Sequence, residues 1–335
     1  MRQSPAVCAA PLLLMVAAPL WAQETDCDRL AGFPSIPRVD GAAGAYAIPH
    51  PDAAIAACEA ARADQPGDFF LPVLLARARL AADPEDHGAV DLLTAAAEGL
   101  PALAAGELGR LYENGLAGLP IGDRQARDFY RQACNDWPER QAAPGCTRMA
   151  VMMIEGRGGP ADQRGGFALL DNLCRSGWGE ACTQQAFQTD LRGTGDFDAI
   201  SREIARLFEA GCDEGDLLAC SQFGFRLELG DGTALDVARA QTLYRRACEG
   251  GEPQGCSYLG EIYRSGLGVR PDLAEAVRFF ALGCDGNDPY ACVTLGDILS
   301  DGRGVGRDVP RALVALERAC GLGDPEACDM ADTLR

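Results

Sequence analysis

The chain contains no lysine: all 30 of its basic residues are arginine, set against 49 aspartates and glutamates. A serine nucleophile activated through an S-x-x-K motif is therefore excluded. Histidine is nearly absent too, with His50 and His87 alone in 335 residues, too few to build a histidine-rich zinc centre. His50 sits in a Pro49-His50-Pro51 loop and His87 near a helix start, so both are expected to face solvent. No G-x-S-x-G elbow occurs, and no carboxylate pair stands out from the acids that cap helices. No catalytic residue, metal ligand or cofactor is assigned. The net charge of −19 repels nucleic acid and anionic lipid, which leaves a protein or peptide as the expected partner. Oligomeric state is open.

Long apolar runs are lacking beyond the first 22 residues. There, Arg2 precedes an apolar stretch over 6–21 that ends at Ala22, the pattern of a secretory signal peptide cleaved after Ala22 and too short for a membrane span. Its removal takes away Cys8 and leaves 14 cysteines, an even number that suits seven disulfides in an exported, periplasmic or secreted protein.

What the chain has in abundance is cysteine at regular intervals. Cys174/Cys182, Cys212/Cys220, Cys248/Cys256, Cys284/Cys292 and Cys320/Cys328 each enclose seven residues, and the first members recur at 38, 36, 36 and 36. A fixed period of this length signals a stack of repeats in place of two or three globular domains. Neighbour pairing is the economical connectivity, because each gap runs out of one helix, around a turn and into the next. Gly250 and Gly251 end the first helix and Pro253 suits the first turn of the second, while Asp288-Pro289 and Asp324-Pro325 supply an N-cap and a helix-starting proline. Each such bridge is expected to contribute roughly 2–3 kcal/mol by restricting the unfolded chain. Cys134/Cys146 and Cys27/Cys58 bracket longer segments and complete the set. The spacing is not the C-x-x-C of a zinc or redox site.

Positions 36 apart describe the helices. Gly224, Gly260 and Gly296 follow Phe223, Leu259 and Leu295, placing a large residue in the core and letting a neighbouring backbone approach beside it. The pairs Gly230/Gly232, Gly266/Gly268 and Gly302/Gly304 end the helix in a G-x-G turn expected to be left-handed. This is not a phosphate loop, since it follows a helix and lacks a third glycine. Asp236, Asp272 and Asp308 then cap the next helix, whose Ala240, Ala276 and Ala312, with Leu243, Phe279 and Ala315, share one apolar face. Asp285-Gly286-Asn287-Asp288 is read as a polar turn with a cap, because it lacks the ligand ladder of a calcium loop.

The pattern Leu259-Gly260-x-x-Tyr263-x-x-Gly266-x-Gly268-Val269-x-x-Asp272-x-x-x-Ala276 resembles the Sel1-like repeat, a relative of the tetratricopeptide repeat. The resemblance implies an all-α fold, an alpha-alpha superhelix of antiparallel helical hairpins that serves as an adaptor for protein complexes. It is clearest over 197–335 and looser over 86–196, where irregular spacing over 120–196 implies a poorly packed hairpin; Arg226 also departs from Ile262 and Ile298 at its position. The cysteine offset is similar to that of the secreted cysteine-rich Sel1-like proteins of Helicobacter, which implies an alternative role as a beta-lactam- or cell-wall-peptide-binding protein or weak beta-lactamase.

The organisation expected is a signal peptide over 1–22, an extended N-terminal cap over 23–51 and a repeat solenoid over 52–335. Helices are expected near 52–63, 69–80, 89–98 and 103–113, with a short capping helix over 325–335. Residues left after the core is assigned, three apart on the first helix of each pair, are the candidate partner-binding set: Gln222, Phe225 and Glu228; Tyr258, Glu261 and Arg264; Thr294, Asp297 and Ser300. Replacing Phe225, Tyr258 and Glu261 together is expected to remove binding and spare stability.

Overall fold

Local capping chemistry writes most of the helix boundaries. The computed structural model describes residues 25–33, 48, 50–135, 138–302 and 304–335; the expected signal peptide and most of the 23–51 segment lie outside them. Among the described residues the chain forms seventeen α-helices: α1 (Asp26–Ala31), α2 (Pro51–Asp64), α3 (Phe70–Ala82), α4 (Gly88–Ala96), α5 (Pro101–Asn114), α6 (Asp123–Cys134), α7 (Ala143–Glu155), α8 (Gln163–Arg175), α9 (Gly179–Arg192), α10 (Phe197–Asp213), α11 (Leu217–Leu229), α12 (Val237–Glu249), α13 (Pro253–Ser265), α14 (Leu273–Asp285), α15 (Pro289–Asp301), α16 (Val309–Gly321) and α17 (Pro325–Leu334). Asp236, Asp272 and Asp308 each accept a backbone N–H from the first turn of the following helix, as do Asp288 and Asp324. Glu252 does the same for α13. Both glycines of each G-x-G turn have left-handed φ, for instance 77° at Gly266 and 72° at Gly268. Gly266 is the C-cap of α13 and Asp272 the N-cap of α14.

Consecutive helices pack antiparallel along the chain to give a repeat solenoid. The odd-numbered helices α5, α7, α9, α11, α13 and α15 also touch one another in sequence, whereas among the even-numbered ones over the same stretch only α14 and α16 approach comparably. The odd helices are thus the closer-spaced row. Seven disulfides join Cys27 to Cys58, Cys134 to Cys146, Cys174 to Cys182, Cys212 to Cys220, Cys248 to Cys256, Cys284 to Cys292 and Cys320 to Cys328. The five regular ones run from the end of an even helix to the first turn of the next odd helix, with Cα atoms 4.5–4.8 Å apart.

Three readings of the sequence are corrected. The segment over 23–51 is not extended throughout, because Thr25 and Asp28 form a reciprocal capping box that starts α1. The T-x-x-D pattern at 25–28 was the available sign. Second, the glycines at 224, 260 and 296 receive a side chain first, with a backbone atom, the Ala240 carbonyl oxygen at 3.3 Å from an added Cβ, among the nearest only at Gly224. A Cβ there would meet the Tyr244 ring at 2.7 Å, the Phe280 ring at 2.7 Å and the Leu316 side chain at 2.6 Å. These three side chains are completely buried and form the centre of the hairpins, one position beyond Leu243, Phe279 and Ala315. Gly109 takes the Tyr130 ring in the same way. Third, the irregular hairpins over 120–196 are well packed: Ala126, Tyr130, Met149 and Met152 form their own buried cluster. Arg226, in place of an isoleucine, keeps its charge compensated by ion pairs to Asp231 and to Asp190 at 3.8 Å.

Gly260→Ala forces the Phe280 ring to shift and is expected to cost about 1–3 kcal/mol in thermal or urea melts. Gly306→Ala, where nothing lies within 4 Å of an added Cβ, is expected to stay within about 0.5 kcal/mol of the parent.

Candidate functional site

The candidate partner-binding residues lie on the odd-helix row, and the structure ties four of the nine, Gln222, Phe225, Tyr258 and Glu261, to the neighbouring repeat. Phe225 on α11 stacks on Tyr258 of α13, with ring centroids 5.5 Å apart. Tyr258 packs in turn against Tyr244 at 4.8 Å, whose hydroxyl donates to Glu228 at 2.8 Å. Glu261 accepts from Tyr290 of α15 at 2.6 Å and pairs with Arg264 at 2.7 Å. Gln222 donates to Gln254 at 2.9 Å. The Ser300 hydroxyl donates to the Asp297 carbonyl at 3.0 Å, and Thr294 lies beside the Tyr290 hydroxyl. Phe225, Arg264 and Asp297 are exposed; Gln222, Glu228, Tyr258, Glu261, Thr294 and Ser300 are half-buried. Tyr258 and Glu261 are therefore repeat-to-repeat joints, and the expectation that they can be replaced without loss of stability is revised.

A second set of joints lies beneath them. Thr183 donates to Asp216, Ser221 to Glu252 and Ser257 to Asp288, each hydroxyl reaching a carboxylate that caps the next odd helix. Val293 ends the series, since it has no hydroxyl to offer Asp324. Burial raises the Glu252 pKa against the opposing effect of the Ser221 and backbone hydrogen bonds.

Nearer the N-terminus the same row opens into a cavity of about 400 Å³ between α5, α7 and α9. Phe33, Leu103 and Pro144 give it an apolar wall; Glu107, Arg110, Glu113, Tyr130, Arg148 and Glu180 supply polar groups. Glu113 is the hub. Its carboxylate accepts from the Tyr130 hydroxyl at 2.7 Å, from Arg157 at 2.7 Å and from Arg148. Burial pushes its pKa up, but the Arg148, Tyr130 and Arg157 hydrogen bonds outweigh that and hold it below the ordinary carboxylate value. Arg110 pairs with Glu107 at 2.8 Å. Glu180, by contrast, has no hydrogen-bond or ion-pair partner among the described residues, and burial, reinforced by the charge of Asp216, pushes its pKa up to about 7. Phe33 is held at the rim by Arg77, whose guanidinium lies 4.2 Å from the ring centroid and donates to the carbonyls of Ala31 and Gly32 at 2.5 and 2.7 Å.

The cavity residues were not among the candidates, although one was reachable by counting. Gln222, Tyr258 and Thr294 each stand two places after the second cysteine of a bridge, and Arg148 stands two places after Cys146. Glu107, Arg110 and Glu180 carried no such mark, because α5 starts without a cysteine and Glu180 precedes one. His50 and His87 are exposed. The Asp285–Asp288 segment is a turn in which Asp285 pairs with Arg318 at 2.8 Å and Asp288 caps α15. Among the described residues no cluster of three or more His, Cys, Asp or Glu could hold a metal, and no helix is long and apolar enough to cross a membrane.

The family model for the Sel1 repeat matches residues 102–136, 143–177, 218–252, 253–288 and 289–324. Among solved structures, a Sel1 repeat protein from Oxalobacter formigenes is 19% identical, with a TM-score of 0.53, over 74% of this chain and 96% of its own. A protective antigen of uropathogenic Escherichia coli displaying an SLR fold is 19% identical with a TM-score of 0.49; the match covers 85% of this chain but 60% of the antigen. Helicobacter pylori cysteine rich protein B is 26% identical with a TM-score of 0.34, over 41% of this chain and 99% of its own. No curated protein sequence matches. The Oxalobacter likeness supports the solenoid fold.

Tyr258→Ala removes a ring wedged between Phe225 and Tyr244 and is expected to cost about 2–3 kcal/mol, less than the ~3–5 of a fully buried ring; Tyr258→Phe, which keeps the stacking, stays within about 0.5 kcal/mol. Glu180 gives a pH-dependent signature. A carboxyl whose pKa is raised on folding destabilises the native state as pH climbs from 4.5 through about 7. Glu180→Gln is expected to match the parent at pH 4 and exceed it by about 1–3 kcal/mol at pH 8 in urea melts.

Proposed function

This chain belongs to the Sel1 repeat family, whose solenoids are scaffolds for protein–protein interaction, and from that premise we propose that it is an exported, non-enzymatic module holding a protein or peptide along the concave face made by its odd-numbered helices. The observation that carries the reading is the continuity of that face. A single row of helices presents Arg110, Arg148, Phe225, Tyr258, Arg264, Tyr290 and Asp297 in turn. Aromatic rings and arginines supply contact area and fixed donors at modest entropy cost, the composition that dominates binding surfaces. Part of each ring is committed to the neighbouring repeat, so the platform is preorganised before a partner arrives.

Export is supported by seven disulfides, which persist in oxidising compartments, and by the signal-peptide pattern over 1–22. A net charge of −19 favours a basic or mixed-charge partner and speeds its approach at low salt.

The test is crosslinking capture from the exported fraction with oxidised protein as bait. The double reversal Arg264→Glu with Asp297→Arg changes two exposed residues and spares the stacked rings. It is expected to lower capture of the partner at least tenfold while changing stability by no more than about 1 kcal/mol. Arg311→Glu, on the even helix α16, serves as the control and retains capture. Equal capture by the parent, the double reversal and the control would reject the odd-helix face as the binding surface.

A further inference from the structure

The cavity between α5, α7 and α9 contains an unbalanced charge, and the balance decides what can enter it. Its two arginines are already neutralised: Arg110 by Glu107 at 2.8 Å, and Arg148 by Glu113. An anion entering the cavity would have to draw Arg148 away from Glu113, whose side chain is 4% exposed. Breaking such a buried pair leaves an uncompensated charge and is strongly unfavourable. Glu180 is different. It lines the same cavity and has no hydrogen-bond or ion-pair partner among the described residues. A donor-bearing cation can therefore bind there without breaking an existing pair, and the apolar wall of Phe33, Leu103 and Pro144 suits the methylene stem that carries such a head group. The volume of about 400 Å³ lies toward the small end of sites that enclose compact ligands, roughly 300–1,000 Å³.

We propose that this cavity is a socket for an arginine or lysine side chain of a bound peptide, with Glu180 as the group that pairs with the incoming cation. The assignment rests on the reading of the odd-helix row as a peptide-binding face and specifies one of its subsites. The charged groups facing Glu180 are Asp216 at the N-cap of α11, Arg148 on α7 and Glu107 on α5. The two acids reinforce the preference for a cation, and Arg148 is held off by Glu113. Because Glu180 gains its charge around pH 7, occupancy of the socket rises with pH between about 5.5 and 8.

The probe is the capped tripeptide Gly-Arg-Gly, compared with Gly-citrulline-Gly, which has nearly the same shape without the charge, and with Gly-Glu-Gly. Binding to the oxidised protein is followed by NMR shift perturbation at pH 5.5 and 8. The arginine peptide is expected to move signals of α5, α7 and α9, to bind about tenfold more weakly at pH 5.5 than at pH 8, and to bind at least fivefold more weakly to Glu180→Gln at pH 8. The Glu180→Gln variant is monitored for an unchanged thermal transition or a raised one, so a loss of binding is not a loss of fold. Equal binding of the citrulline peptide, preference for the glutamate peptide, or unchanged affinity in Glu180→Gln overturns the assignment. Shifts confined to α11, α13 and α15 also overturn it, while leaving the broader odd-helix reading in place.

Discussion

From α6 onward, the disulfide that joins the end of an even helix to the start of the next odd helix is the constraint from which the rest of the solenoid follows. A helical hairpin cannot bury its apolar stripe alone, so the stability of a repeat array lies in the interfaces between successive units. Here the bridges sit at those interfaces. Cys248–Cys256 spans the boundary between the repeats over 218–252 and 253–288, and Cys284–Cys292 the boundary to 289–324. With Cα atoms held within 4.8 Å, the first turn of each odd helix has one position relative to the preceding repeat. The hydroxyl-to-cap hydrogen bonds of Thr183, Ser221 and Ser257 then form across the same boundary, and the side chains of adjacent odd helices fall into a constant register.

That register explains why side chains of the odd-helix face meet across repeats. Phe225 meets Tyr258, and Tyr290 meets Glu261, because each pair is one repeat apart on rows held parallel by the bridges. Their contacts with the next repeat fix rotamers that a free surface side chain would sample, which lowers the entropy cost of contacting a partner. The even helices serve a different purpose. They carry the fully buried Tyr130, Tyr244, Phe280 and Leu316, each seated on a glycine of the paired odd helix. This contact sets how closely the two rows approach.

The N-terminal third departs from this scheme. It has no disulfide between α2 and α6, and beside the stacked Tyr112 and Phe129 rings it carries a charged network around Glu113. Charges there are compensated by arginines from α7 and from the segment after it, and the Cys134–Cys146 bridge ties α6 to α7 beside them. The compensation is incomplete at Glu180, which is where the cavity differs from the polar contacts of the later repeats.

Much of the architecture was legible one residue at a time. The cysteine period, the Asp-Pro helix starts and the G-x-G stops identify hairpins, since capping and left-handed turns depend on a few neighbouring residues. The capping box at Thr25 and Asp28 was equally local, and it was hidden by the proline- and glycine-rich stretch that follows it. What could not be read was which residues meet across repeats. Gly260 announces close packing in the sequence, yet only the tertiary fold decides that a phenylalanine twenty residues onward fills the space. Glu107, Glu113, Arg148 and Glu180 look like ordinary acidic and basic surface residues until α5, α7 and α9 are stacked. The sequence by itself determined the period, the helix ends and the bridges, because these follow from local backbone chemistry and from covalent bonds between near neighbours. The tertiary structure alone decided which charges are paired and which one is left facing a cavity, because pairing depends on distances between helices far apart along the chain.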